Sequence, residues 1–206
     1  MENLWRAHPW HGIGIHELSP QFVNTYIEIT PFDGVKYELD KESGLMKIDR
    51  PQLFSNIVPA LYGFIPRTYC GEGIAALCME SLGRKDIKGD GDPLDILVLS
   101  EKNIQHGDIL VHARPIGGLR MVDKNEADDK IIAIMKDDIV YNGWKELEDI
   151  PSPILNRILH YFLTYKQIPS KDEKPTVEIP QIYGRKDAYE VISRSMKDYD
   201  LLQNKG

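Results

Sequence analysis

The 206-residue sequence predicts an α+β fold with a barrel-like or sandwich sheet. Two observations carry this. Short segments of strand periodicity, separated by turn residues, fill the first two-thirds of the chain. Apolar stripes at helical spacing come only after residue 150.

The first strand spans Val23 to Thr30, with Val23, Thr25, Ile27 and Ile29 on one face and Asn24, Tyr26 and Glu28 on the other. Asp33-Gly34 marks a turn. Val35, Tyr37 and Leu39 then alternate with Lys36 and Glu38; a turn over Asp40 to Gly44 leads to a third strand, Leu45 to Arg50. These three segments read as an antiparallel meander. From Pro51 to Gly91 prolines and glycines break the pattern into a long irregular stretch. A buried strand follows at Asp95 to Leu99, then strands at Asp108 to Pro115, Gly117 to Val122 and Lys130 to Met135. Ser152-Pro153 reads as a cap with proline in the first helical position. The stripe Ile154, Leu155, Ile158, Leu159, Phe162 and Leu163 makes the helix, and Ala188, Val191, Ile192, Ser195 and Tyr199 make a second. With no Gly/Ser linker, repeat or low-complexity tract, residues 1–206 are expected to form a single domain.

The composition, 42% hydrophobic and 28% charged, is that of a globular protein. No apolar run approaches the ~20 residues of a membrane span, and the N-terminus lacks the pattern of a signal peptide. A cytoplasmic location without a membrane partner is expected. Net charge −7 argues against a nucleic-acid partner, because counterion release needs clustered Lys and Arg. Cys70 and Cys78 fit neither a disulfide framework nor a zinc spacing and read as small apolar residues or free thiols. His8, His11 and His16 match no metal motif and read as loop residues; His112 and His160 read as structural.

Chemistry concentrates in Asp90-Gly91-Asp92-Pro93-Leu94-Asp95. Three carboxylates at the mouth of a buried strand, on a backbone turned by Gly91 and fixed by Pro93, can be aimed at one point. Unpaired they would repel one another, and a divalent cation such as Mg²⁺ resolves this. A solvated acidic turn is the plain alternative. A calcium EF-hand is rejected, because Asp95 stands where that loop needs glycine and Ile96 to Leu99 is an apolar strand. A second acidic segment, Asp123 to Lys130, joins two strands. Alone it is a charged hairpin tip. Facing the first, it would complete a site for two metals and displacement at phosphorus. Lys36, Arg50, Lys130, Lys166, Tyr62 and Tyr165 are candidate phosphate partners. Gly71-Glu72-Gly73 fits a loose dinucleotide fingerprint but follows no convincing strand, so it is set aside.

The sequence resembles family I soluble inorganic pyrophosphatases. The resemblance rests on an ordered set: Tyr26 to Ile29, Lys36 to Gly44, Asp49-Arg50, Pro59 to Gly63, Asp90 to Asp95, Arg114 to Gly117, Asp123 to Lys130 and His160 to Lys166. It implies an OB-like five-stranded antiparallel β-barrel with flanking α-helices. It also implies Mg²⁺-dependent hydrolysis of pyrophosphate to two orthophosphates by metal-activated water, with several ions in each site. By motif, Asp90, Asp95, Asp123 and Asp128 would ligate metal, and Asp92 would accept the proton of the attacking water. Glu28 and Glu38 would be supporting acids. Lys36, Arg50, Tyr62, Lys130, Tyr165 and Lys166 would hold the substrate. A homo-oligomer is expected, a hexamer ahead of a dimer. Two departures stand out. Val58 replaces a tyrosine common in the family. The stretch Phe64 to Gly89 is longer than in compact bacterial members, and is read as an inert surface excursion ahead of a cap or a subunit contact. Two rivals remain. A single-strand-binding OB module would need a basic groove with stacking aromatics. A phosphate-ester hydrolase would need an apolar pocket beside the carboxylates.

Overall fold

The structure, a computed structural model, describes residues 6–166 and 175–204. Five strands close a ring: β1 (Val23–Ile29), β4 (Leu61–Phe64), β6 (Asp95–Leu99), β9 (Lys130–Met135) and β7 (Ile109–Asp123), which returns to β1. Four pairings around the ring are antiparallel as expected, whereas β6 and β9 run parallel. This is a partly closed, OB-like barrel. Three helices flank it: α1 (Glu72–Leu82), α2 (Ser152–Thr164) and α3 (Arg185–Gln203).

The apolar runs of β6 and β9 are continuous because both faces are covered. Ile96, Val98, Ile131 and Ala133 pack in one core with residues of α1 and α3. Their neighbours Leu97, Leu99, Ile132 and Ile134 pack in a second core with α2. β1 likewise buries more than its alternation suggested, and Glu28 lies almost wholly inside.

Several expectations need correction. The meander is a hairpin: β2 (Val35–Leu39) pairs only with β3 (Met46–Pro51) in a separate two-stranded sheet, while β1 joins the barrel. The two strands read on either side of Ile116 are one strand, β7, which continues through an irregularity between Pro115 and Gly117. Elements not foreseen include β4, a strand of the ring inside the stretch read as irregular, the short β5 (Lys88–Gly89), β10 (Val177–Gly184), which pairs with β7, and α1 itself. The stretch from Phe64 to Gly89 is therefore no inert excursion, since Phe64, Ile74 and Cys78 are fully buried. Ser152 begins α2 but makes no side-chain cap. Among the described residues no helix is long and apolar enough to cross a membrane.

Candidate active site

One end of the barrel opens into a cleft of about 400 Å³. Its acidic wall comes from two loops. Asp90 Oδ1 accepts the N–H of Asp92 at 2.9 Å, and Gly91 has φ +78°, so the backbone turns tightly where a side chain would be strained. Asp95 begins β6. Opposite it, Lys124 and Asn125 at φ +50° and +68° turn β7 back into β8 (Glu126–Ala127), which places Asp123 and Asp128 toward the same cleft. The two acidic segments therefore do face each other.

The cationic wall comes mainly from the β2–β3 hairpin. Lys36 Nζ donates to Asp49 at 2.8 Å and to Glu38 at 3.2 Å; these partners keep its pKa high although burial opposes the charge. Among the described residues Arg50 approaches a carboxylate only at 4.0 Å, on Asp49, so its fork is available to an anion. Lys166, just past α2, pairs with Asp123, and its ammonium lies 5.2 Å from the ring of Tyr165.

Lys130 holds the centre. It is 1% exposed and pairs with both Asp95 and Asp128. Burial works against its charge, yet these carboxylates lift its pKa well above that of an ordinary lysine. The Tyr62 hydroxyl donates to Asp95 at 2.5 Å. Burial raises the pKa of Tyr62 and of Tyr165, so both remain phenols and donors at neutral pH. Burial, then the charge of Asp128, raises the pKa of Asp90, and burial also raises that of Asp128.

Glu28 and Glu38 lie off this cleft, lining a smaller cavity of about 90 Å³ that shares Lys36, Tyr62, Asp92 and Asp95 with it. Glu28 accepts the N–H of Leu39 at 2.7 Å and so ties the hairpin to the barrel. Burial pushes its pKa to about 8. Every other sequence candidate lines the main cleft.

Four features escaped the sequence reading. Lys41, in the hairpin turn, pairs with Asp92. Asp49 and Glu126 also line the cleft. Behind it, Arg120 and Asp129 form a fully buried ion pair at 2.8 Å, with the Tyr183 hydroxyl donating to Asp129 at 3.0 Å. The position of Lys41 beside Ser43-Gly44 marks a turn, which gives no hint of its partner; Arg120 reads as an ordinary outward strand residue.

The expectation that the Asp90–Asp95 carboxylates aim at one point does not hold in this arrangement. Asp92 turns to Lys41, and Asp95 to Lys130 and Tyr62. Among the described residues no three acidic, histidine or cysteine side chains converge closely enough to hold an ion. The donor set nevertheless fits a divalent cation. Among the described residues, seven carboxylates line the cleft against four cationic side chains, and Asp123 Oδ1 is buried with no hydrogen-bond partner. Such an excess of negative charge would repel a phosphate unless further cations entered.

The other sequence candidates fall away. Gly71 and Gly73 open α1, and their N–H groups go to the carboxylate of Asp198, which leaves them no role in binding a dinucleotide. Both cysteines are buried free thiols. His11 meets the Tyr199 hydroxyl at 2.7 Å, and His112 meets Asn24 at 2.8 Å. Val58 is fully buried and contributes only to the core.

Comparisons with known proteins identify the family. The family model described as inorganic pyrophosphatase matches residues 25–200. An inorganic pyrophosphatase of Chlamydia muridarum is 52% identical over 196 residues, covering 94% of each chain. A soluble inorganic pyrophosphatase of Oryza sativa subsp. indica is 38% identical over 94% of this chain and 79% of its own. The crystal structure of inorganic pyrophosphatase from Thermus thermophilus superposes with a TM-score of 0.77 at 30% identity, covering 94% of this chain and 99% of that one. The chain belongs to the inorganic pyrophosphatase family.

Proposed function

We propose that this cleft hydrolyses inorganic pyrophosphate to two orthophosphates, with Mg²⁺ as the cofactor. The observation that carries the reading is the facing of seven carboxylates and four cationic side chains across one small cleft. A substrate without a carbon skeleton must be recognised through charge and geometry alone, and this cleft offers both.

Asp90, Asp95, Asp123 and Asp128 would hold the metal ions. Bound there, Mg²⁺ would offset phosphate charge and make a water easier to deprotonate. The backbone of Asp92 is held by Asp90, and its half-exposed carboxylate, paired with Lys41, lines the cleft. It takes the proton as the water oxygen bonds to phosphorus. The bridging P–O bond breaks, and its electron pair leaves with the second phosphate. Arg50 and Lys36 grip the anion from the hairpin side, Arg50 with a planar fork. Tyr62 and Tyr165 donate hydrogen bonds as neutral phenols. Lys130 and Lys166 stabilise charge that grows on the leaving group. Glu28 and Glu38 support the acidic side from the adjoining cavity.

Residues 1–206 are read as one domain, acting in the cytoplasm as a homo-oligomer.

The test is phosphate release from pyrophosphate, with Mg²⁺ and with chelator, for wild type and Asp92→Asn. Fast, chelator-sensitive release that collapses in the variant is expected. Release persisting in the variant would move the proton acceptor elsewhere. No release by folded wild type with Mg²⁺ would overturn the reading.

A further inference from the structure

We propose that Asp198, on α3 and outside the cleft, is a positioning residue for the aspartate loop. The inference rests on the reading of Asp90 and Asp95 as metal ligands.

Residues 65–71 form a shelf under that loop. Ile65 N–H donates to the Leu94 carbonyl and Leu94 N–H to Thr68 Oγ1, both at 2.9 Å. Cys70 N–H donates to the Asp92 carbonyl at 2.8 Å, and Gly91 N–H to the Cys70 carbonyl at 3.1 Å. Both sides of the backbone between Asp90 and Asp95 are therefore hydrogen-bonded to the shelf.

The shelf is held in turn by α3. The Asp198 carboxylate accepts the N–H groups of Gly71, Gly73 and Ile74, each at 3.0 Å. These are opening donors of α1, which have no partner inside their own helix. A carboxylate there also meets the positive end of the helix dipole. One turn earlier on α3, the Ser195 carbonyl accepts the N–H of Tyr69 at 2.9 Å. The contacts are close enough to exclude substitutes. A Cβ on Gly73 would stand 2.5 Å from Asp198 Oδ1, and one on Gly89 would stand 2.1 Å from the Cys70 carbonyl. Asp198 is 7% exposed, so water cannot readily take its place.

The position of residue 70 is thus fixed on one side by α3 and transmitted on the other to the peptide that joins Asp90 to Asp92. Removing the carboxylate leaves the buried N–H of Ile74 and the part-buried N–H groups of Gly71 and Gly73 without their acceptor. The local rearrangement falls on Gly71 and then on Cys70, which carries both hydrogen bonds to the loop. Metal affinity is the quantity most sensitive to such a shift, because ligand positions must hold to tenths of an ångström.

The experiment is Mn²⁺ binding, followed by the EPR signal of the free ion, on wild type, Asp198→Ala, Asp198→Asn, Thr68→Val and Leu147→Ala. Leu147 is buried in the second core, which contains no residue of the shelf or of the loop 90–95, so its truncation controls for lost stability. Asp198→Ala is expected to weaken Mn²⁺ binding about tenfold, the range of outer-shell changes at metal sites. Asp198→Asn, which keeps an acceptor oxygen, falls between it and wild type. Thr68→Val disturbs the shelf from its other end and also weakens binding, so the inference stays testable if Asp198→Ala does not fold. Leu147→Ala lowers Tm and leaves binding unchanged. Wild-type affinity in Asp198→Asn and Thr68→Val, or equal weakening in Leu147→Ala, overturns the inference. Failure of wild type to bind Mn²⁺ overturns the reading of the cleft itself.

Discussion

Lys130→Met tests the electrostatic centre of the cleft. The substitution keeps most of the side-chain length and removes only the charge. Lys130 is fully buried and faces both Asp95 and Asp128, so the variant leaves two carboxylates without their shared cation. Breaking a buried pair from one side costs about 3–5 kcal/mol. For a chain of this size each kcal/mol is worth about 2–4 °C in Tm, which places the loss at roughly 6–20 °C. The assay is thermal and urea unfolding of both proteins with chelator and with saturating Mg²⁺. The gap should be large with chelator and should narrow with Mg²⁺, because added divalent charge relieves the repulsion that the ammonium had balanced. A loss below about 1 kcal/mol with chelator, or a gap that Mg²⁺ leaves untouched, would refute the claim that Lys130 and the ions share these carboxylates.

Three other perturbations follow from the same structure. Arg50→Lys keeps the charge and loses the planar fork, so KM for pyrophosphate should rise about tenfold, the worth of one charge-assisted hydrogen bond; steady-state kinetics read it. Gly63→Ala would set a Cβ 1.9 Å from the Tyr26 carbonyl, where β4 pairs with β1, and should destabilise by about 1–3 kcal/mol in urea unfolding. Asp138 accepts hydrogen bonds from the backbones of Glu101 and Tyr141 and from Ser100; burial opposes its charge, but these donors hold its pKa below the ordinary 3.8. Its depressed pKa gives stability that is full above pH 3.8 and is lost as pH falls through the lower folded value, so Asp138→Asn should flatten the acid limb of an unfolding-versus-pH curve.

What could be read from the sequence was what repeats or clusters locally. Val35 to Leu39 showed its period, α2 its stripe, and the Asp90–Asp95 loop its density of charge. Strand periodicity on either side of Asp123–Lys130 marked it as a connecting turn, and the fold is what sets that turn across the cleft from the first loop. The missed elements carry weak local signals. α1 buries only Ile74, Ala75 and Cys78, a narrow stripe between glycines that read as breaks. β10 contains Pro180 and pairs with β7 alone, as a proline-bearing edge strand would. Pro115 and Gly117 looked like the end of a strand, whereas β7 passes through them with a local irregularity. Pairings across long sequence separations were invisible by nature. Lys41 meets Asp92 from 51 residues away, and Asp198 reaches Gly73 across 125.

β7 is the common partner of β1, β8, β9 and β10. β1, β4, β6 and β9 pair in series, but only β7 closes them into a ring and carries β8 and β10, so closure requires long loops to form before those contacts repay the lost entropy. The same topology governs when repulsion arises. Residues 90–95 and 123–128 come together only when β6 and β9 pair and β7 closes beside them. Until then their like charges are far apart and solvated. The electrostatic burden of the cleft thus falls on the late stages of folding, when the ring that can bear it is already in place.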